Sequence, residues 1–491
     1  MRKLLIKPFY AVLLLIATSC VDDLTSLNVN PKSYQSGTIP EGPFFSNATR
    51  NLTDQMLDGF NFKIWSQQFA ETTYFTTSNY TLTNPGNGFW VALYTGVLLD
   101  YKEAKAILLK KPSLYPGVDN NKLAMIEVME VYTYYLLVTT FGDIPYSGAL
   151  NTSLKSEALD PDNTTPAYDD GEAVYDDLLA RLDAAIAKLN PGAANGGVKG
   201  FGIADILFDD DVTAWVKFAN SLKLRMAMTI ADSNPAKAKS LVESINAANL
   251  IQSNAENAEL AYKAVTPNTN PVWVWLVQSG REDYVASNTM MDIMKAPVID
   301  DPRIPLYYTK DKDGGYSGGK YGTSNAYVTF SKAGAKVTSP DWPGILIDYV
   351  EVEFLLAEAA ARGFTVTGTA QQHYQNGILA SIDYWGGSAV DAAAYLADPS
   401  VAYATAIGAN NIQKIARQKY IAMFNRGFEA WVDYRRFDYP VFNVPANPGG
   451  PFPYRYSYPN AEQTSNGPNY TAAVAAMGGD ELDLKLFWDK N

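Results

Sequence analysis

The sequence predicts a mainly α fold in which helix pairs flank an irregular, aromatic-rich middle carrying a few short strands. Three observations carry that expectation. Apolar residues recur at helical spacing over long segments at both ends of the 491-residue chain. Residues 255–343 lose that period and are rich in Asn, Gly, Pro, Tyr and Trp. No break in composition divides the chain into independent parts, so one large unit is expected.

Taken in order, residues 89–110 carry Trp90, Leu93, Val97, Tyr101 and Ala104 along one helical face. That spacing assigns Trp90 to helix packing. Residues 121–146 are apolar almost all round between 128 and 141, with Glu127 and Glu130 flanking. Such a run is too short to span a bilayer and reads as a buried core helix. It ends at Phe-Gly-Asp-Ile-Pro-Tyr, where Gly142 supplies a turn, Asp143 a local cap and Pro145 a stop. Residues 168–192 start with acids, end on Lys188 and stop at Asn190-Pro191-Gly192. Trp215, Phe218, Leu222, Met226 and Ile230 share a further face, and a shorter helix follows from 235. In the middle, short strands are expected over 272–277 and 326–330. The glycine-rich run 311–322 opens like a calcium loop at Asp311 and Asp313. Gly322 stands at the twelfth place, where an acid is required, so a flexible loop is expected. Helical periodicity returns over 344–363, 370–386 and 412–436.

The formal net charge of −13 and pI near 4.7 argue against nucleic acid or an anionic membrane surface as partners. The N-terminus has its own logic. Arg2, Lys3 and Lys7 precede a short apolar run at 9–17, which is the pattern of a secretory signal rather than a spanning helix. Ala17, Thr18 and Ser19 are small and lead into Cys20, the sole cysteine. One cysteine cannot form an internal disulfide. A thiol is the nucleophile that a lipid alkylates, and the segment resembles a bacterial lipobox. Its one departure is Ala17, where Leu is usual. Residues 1–19 are therefore read as a lipoprotein signal peptide and Cys20 as the lipidation site. Residues 20–42 are polar and punctuated by Pro and Gly. They read as a tether able to reach roughly 60–70 Å when extended.

Seven further segments occur in an order that resembles one known family. They are Leu-Asn-Val-Asn-Pro at 27–31, the helix exit at 141–146, and residues 215–227, 300–308, 357–363, 373–386 and 421–440. Together with the lipobox they resemble the SusD/RagB family of outer-membrane nutrient-binding lipoproteins. The resemblance implies tetratricopeptide-like helix pairs supporting an irregular ligand-facing region, with residues 43–491 as a single nutrient-binding domain. It implies no catalysis and no cofactor. It also implies a place on the cell exterior, held in the outer membrane by lipid alone. The implied partner is a SusC-type TonB-dependent transporter. The implied ligand is an oligosaccharide, with a peptide as the alternative.

The rival class is a surface-anchored glycoside hydrolase, since two carboxylates suffice and 52 acids are present. No HExxH or P-loop occurs. With one histidine and a lipidated cysteine, histidine triads and histidine-clustered zinc sites are excluded. His373 reads as a surface or packing residue. Glu429, Asp433, Arg435 and Arg436 read as a structural ion-pair cluster. A pure protein scaffold is a third class, which would lack a small-ligand pocket. The candidate ligand residues come from two segments that mix flat rings with hydrogen-bonding groups. One holds Trp65, Gln68, Tyr74, Asn79 and Tyr80. The other holds Trp273, Trp275, Arg281 and Tyr284. As a strand, the second segment would present Trp273 and Trp275 on one face.

Replacing Cys20 with Ala should leave the protein soluble or mislocalised. Membrane fractionation checks this, and a variant retained in the outer membrane as firmly as wild type would remove the anchor.

Overall fold

The computed structural model describes residues 39–154 and 156–490. Cys20, the leader and the tether as far as residue 38 lie outside the described residues. Helix α1 (Glu41–Asp58) starts two residues inside the expected tether. After Gly59 come α2 (Phe60–Trp65) and strand β1 (Phe69–Glu71). The periodic segment from 89 forms α3 (Asn87–Leu93) and α4 (Leu99–Lys110), joined by a π turn at Tyr94–Leu98. The wider turn lets adjacent Val97 and Leu98 both reach the core, while Trp90, Tyr101 and Ala104 also stay buried.

Helix α5 (Pro116–Phe141) is the central helix and is buried on every side from Val128 to Phe141. A run without a polar face has nowhere else to go. Pro116 fits the first turn, where no amide hydrogen is needed. Helix α6 (Gly171–Lys188) packs along α5. Asp170 caps it by accepting the Ala173 N–H at 2.8 Å. Helices α7 (Val212–Thr229) and α8 (Pro235–Glu243) form the next pair, capped by Asp211 and Asn234. The middle contains β2 (Ala258–Leu260), the short helix α9 (Pro271–Trp273), β3 (Tyr284–Ala286), α10 (Asn288–Lys295), α11 (Ile304–Tyr307) and β4 (Gly344–Ile347). Helices α12 (Tyr349–Ala361) and α13 (Ala370–Tyr384) then pair closely. They are followed by α14 (Ala389–Ala397), α15 (Asn411–Ala422), α16 (Gly427–Phe437), α17 (Asn460–Ser465) and α18 (Gly467–Met477). The fold is mainly α, with tetratricopeptide-like helix pairs and few strands. One hydrophobic cluster runs from Phe45 to Trp488.

Two antiparallel ladders join distant parts of the chain. β1 pairs with β3, and β2 pairs with β4. Neither lies where strands were expected. Residues 271–278 are helical, with a π turn at Val274–Gln278. Asn270 accepts the Val272 N–H at 2.7 Å and Pro271 presets the first helical φ, so Asn-Pro is a helix start here. Residues 326–330 form a turn in which the Thr329 N–H donates to the Ala326 carbonyl at 3.0 Å. Asp143 also differs from its expected local role. Its Oδ1 accepts the Gly171 N–H at 2.8 Å and so caps the next helix. Gly142 has φ +91, and a Cβ there would lie 2.8 Å from Met477 Sδ, so glycine is required twice over.

Buried ion pairs tie these layers together. Arg225 on α7 donates to both Glu351 oxygens at 2.6 Å, to the Tyr132 hydroxyl on α5 at 3.0 Å and to the Leu346 carbonyl in β4 at 2.6 Å. Arg426 donates to Glu351 at 2.5 Å and to Asp348 at 2.8 Å. The cluster at 429–436 joins this network. Glu429 sits 3.1 Å from Arg426, Lys419 reaches Asp433 at 2.9 Å, and Arg436 reaches Glu358 at 2.5 Å. Arg435 instead lies over the Trp431 ring at 3.4 Å and donates to the Thr139 and Tyr454 carbonyls at 3.0 and 2.7 Å.

Burial alone would raise the Glu351 carboxyl, but Arg225 and Arg426 outweigh it and hold it well below 4.5. A depressed carboxyl adds stability that is complete above 4.5 and is lost as the pH falls below it. Glu351→Gln leaves two buried guanidiniums undercompensated and should cost about 3–5 kcal/mol. Denaturant unfolding at neutral pH checks this, and the deficit relative to wild type should shrink in acid.

Candidate functional site

The two sequence segments named as ligand-facing are far apart in the chain and meet in the β1–β3 ladder. Phe69 pairs with Ala286, Ala70 with Val285 and Glu71 with Tyr284. Beyond the strands, the Thr72 N–H donates to the Asp283 carbonyl at 2.9 Å and its hydroxyl to the Glu282 carbonyl at 2.6 Å. Beside this ladder lies an open cleft of about 290 Å³, lined by Asp58, Phe60, Asn61, Trp275, Tyr284 and Tyr456 among others.

Each wall has a local cause. Gly59 breaks the chain between α1 and α2, which places Asp58, Phe60 and Asn61 at one corner. The Phe60 ring stacks on Tyr284 at 4.5 Å and 8°, fixing the half-buried tyrosine from behind. In the helical 271–278 segment, residues two apart point to nearly opposite sides. Trp273 is therefore half-buried, while Trp275 is 42% exposed and faces the cleft. The shared strand face expected for the two tryptophans does not form. Val274 and Val277 stand exposed beside Trp275.

The remaining candidates divide sharply. Tyr74 is 73% exposed at the tip of the loop after β1. Asn79 is half-buried and its Oδ1 accepts from the Thr81 hydroxyl at 2.6 Å. Arg281 is exposed and paired with Asp283. Trp65, Gln68 and Tyr80 are buried beneath them. Trp65 donates to the Thr77 carbonyl at 3.2 Å and packs against Trp431. The Gln68 amide donates to the Met423 carbonyl at 2.8 Å and accepts the Asn425 N–H at 2.9 Å, so it clamps two loops. Tyr80 receives a hydrogen bond from Gln67 at 3.3 Å. As arranged, these three support the loop and offer no ring or amide to solvent. Gln67, Tyr80 and Asn84 all hold positive φ, at 53°, 65° and 49°. Such strain in non-glycine residues concentrates where surroundings fix a functional loop.

Two carboxyls shape the electrostatics. Burial pushes the Asp58 carboxyl up to about 6, opposed by the Lys63 ammonium and by the Trp275 side chain. Asp58 Oδ1 is buried and has no hydrogen-bond partner, so this wall of the cleft has acceptor capacity to spare. Glu71 accepts the Ser78 N–H at 2.8 Å and the Ser78 hydroxyl at 2.7 Å, closing the loop that carries Tyr74. Burial raises its carboxyl above the usual range. Sequence reasoning missed Asp58, Phe60 and Asn61. The available signal was the Asp-Gly break at 58–59 set among aromatic residues. The set offers ring faces, amides and carboxyls, but among the described residues no group of three or more His, Cys, Asp or Glu side chains could hold a metal.

The family model described as SusD-like, starch-binding and associating with the outer membrane matches residues 32–459. A chitin-binding SusD homologue from Flavobacterium johnsoniae is 29% identical, with a TM-score of 0.74 over 91% of this chain and 98% of its own. A SusD homologue from Bacteroides uniformis is 27% identical, with a TM-score of 0.75 over 92% of this chain and 99% of its own. One from Parabacteroides distasonis, 22% identical, shares the fold at a TM-score of 0.78 over 92% and 98% of the two chains. No curated protein matches the chain. Among the described residues no helix is long and apolar enough to cross a membrane. The chain belongs to the SusD-like family of outer-membrane-associated binding proteins, which are not enzymes.

Proposed function

We propose that this protein captures an oligosaccharide at the cell exterior and passes it to a SusC-type TonB-dependent transporter, with the Cys20 lipid as its anchor. The observation that carries the glycan reading is Trp275, an exposed indole set beside Tyr284, Asn61 and Asp58 in one cleft. A sugar ring has an apolar C–H face and a hydroxyl edge. A flat ring beside amide and carboxyl groups matches both. A peptide would find little charge here beyond Asp58. The family description names starch, and the structure 29% identical to this chain is named chitin-binding, so both α- and β-linked glucans and their amino-sugar counterparts are candidate ligands. Trp275, Tyr284, Tyr74, Trp273, Asn79 and Arg281 form the proposed contact surface. Trp65, Gln68 and Tyr80 hold it from below.

Trp275→Ala should weaken binding of starch or chitin oligosaccharides by about 1–3 kcal/mol while leaving the melting temperature nearly unchanged. Trp65→Ala, by contrast, should cost about 3–5 kcal/mol of stability. Calorimetric titration and thermal unfolding separate the two. Full affinity in Trp275→Ala with a large loss of melting temperature would move the site elsewhere. Extraction in mild detergent should bring down a barrel transporter with the lipoprotein, and recovery of the lipoprotein alone would remove the partner.

A further inference from the structure

A cavity of about 430 Å³ lies among α7, α8, α12 and α13, and it shares no lining residue with the aromatic cleft. Leu224, Val242, Leu250, Ile251 and Leu356 make its apolar wall. Its polar end is Glu353, with Tyr349 and His373 beside it. A cavity of this size, in which an apolar wall faces a comparable share of polar surface, has the form of a small-molecule pocket.

The loop at its mouth, residues 365–369, is held by the only histidine. His373 is 8% exposed. Its Nδ1 lies 2.8 Å from Glu353 Oε2 and its Nε2 lies 2.7 Å from the Thr367 carbonyl oxygen. A carbonyl oxygen only accepts, so Nε2 carries a hydrogen. A carboxylate only accepts, so Nδ1 carries the other. The geometry therefore calls for the imidazolium. Gly368 permits it: φ is +96, and a Cβ there would sit 2.9 Å from Nε2. A carboxylate offers about four acceptor positions. His373 takes one on Glu353, which leaves capacity for a donor from inside the cavity.

We infer that this cavity is a second ligand pocket, for a compact apolar molecule that donates one hydrogen bond, and that doubly protonated His373 latches its lip. The charged groups around the lip are few. Glu353 on α12 faces the ring. Glu243 at the end of α8 accepts the Thr365 N–H at 2.8 Å, with Lys239 3.8 Å away from it. On the ring's own helix, Gln372 caps the Thr369 N–H at 2.9 Å and adds no charge. Burial alone would lower the imidazole, but the Glu353 bond and the Thr367 carbonyl outweigh it and raise it above 6.5. A raised histidine stabilises the closed loop fully below 6.5, and that stability is lost as the pH climbs through the folded value. Loss of either proton sets a nitrogen lone pair against an acceptor, so the lip loosens in alkali.

Because His373 is the sole histidine, a Cε1-labelled full chain gives a single imidazole signal by NMR. Its titration midpoint should lie above 6.5. Cyclohexanol and cyclohexylamine serve as probes at about pH 6 and about pH 9, in acid and in alkali. Saturable displacement of the signal by both probes supports a pocket for any single donor. Displacement by the amine alone would overturn the single-donor ligand in favour of a cation. Ala247→Trp, at the cavity wall, should weaken either response by about tenfold or more. A midpoint at or below 6.5 overturns the latch. No displacement by either probe at either pH, or displacement undiminished in Ala247→Trp, overturns the pocket. Glycan binding at the aromatic cleft is untouched by any of these outcomes.

Discussion

The Glu351 carboxylate, shared by Arg225 and Arg426, is the constraint on which the rest of the molecule depends. Charges this deeply buried are tolerated only when every partner is in place. The requirement fixes four elements at once: α5 through Tyr132, α7 through Arg225, β4 through the Leu346 carbonyl, and the start of α16 through Arg426. Hydrophobic contact alone would hold these helices near one another without fixing their register. The carboxylate and its two guanidiniums do fix it. Once α16 is placed, Trp431 and Phe428 are placed too, and both pack on Phe62 of α2.

That chain of contacts reaches the cleft. Phe62 and Phe60 lie on one short helix. Phe60 backs Tyr284, and the Tyr284 strand is locked to Glu71 by the β1–β3 ladder. The exposed rings therefore rest on a rigid floor rather than on free loops. Ligand surfaces on such a base lose little conformational entropy on binding. The helix pairs supply the scaffold, and the irregular middle supplies the chemistry.

Much of this was legible in the sequence. Periodicity marked the helices, because a helix that buries one face must repeat its apolar residues at 3.6. It marked Trp90 as core, and Trp90 is buried against Phe141. It could not mark the strands, which are three or four residues long and too short to show alternation. Val-Trp-Val-Trp read as extended by composition, yet Asn270 and Pro271 start a helix there, a local cap overriding β-propensity. Composition also could not separate rings that face solvent from rings that hold the floor. Trp65 and Trp275 look alike in sequence. One is fully buried against Trp431 and the other is 42% exposed. For the cleft residue Asp58 the sequence offered only the Asp-Gly break at 58–59, because its meaning comes from what folds beside it.

A crystal structure of the protein with a bound starch or chitin oligosaccharide tests the central claim most directly. The account predicts a sugar ring lying flat on the Trp275 indole, with hydroxyl or amide groups within hydrogen-bond reach of Asp58 or Asn61. A glycan seated on another face, with the Trp275 ring bare, would contradict it.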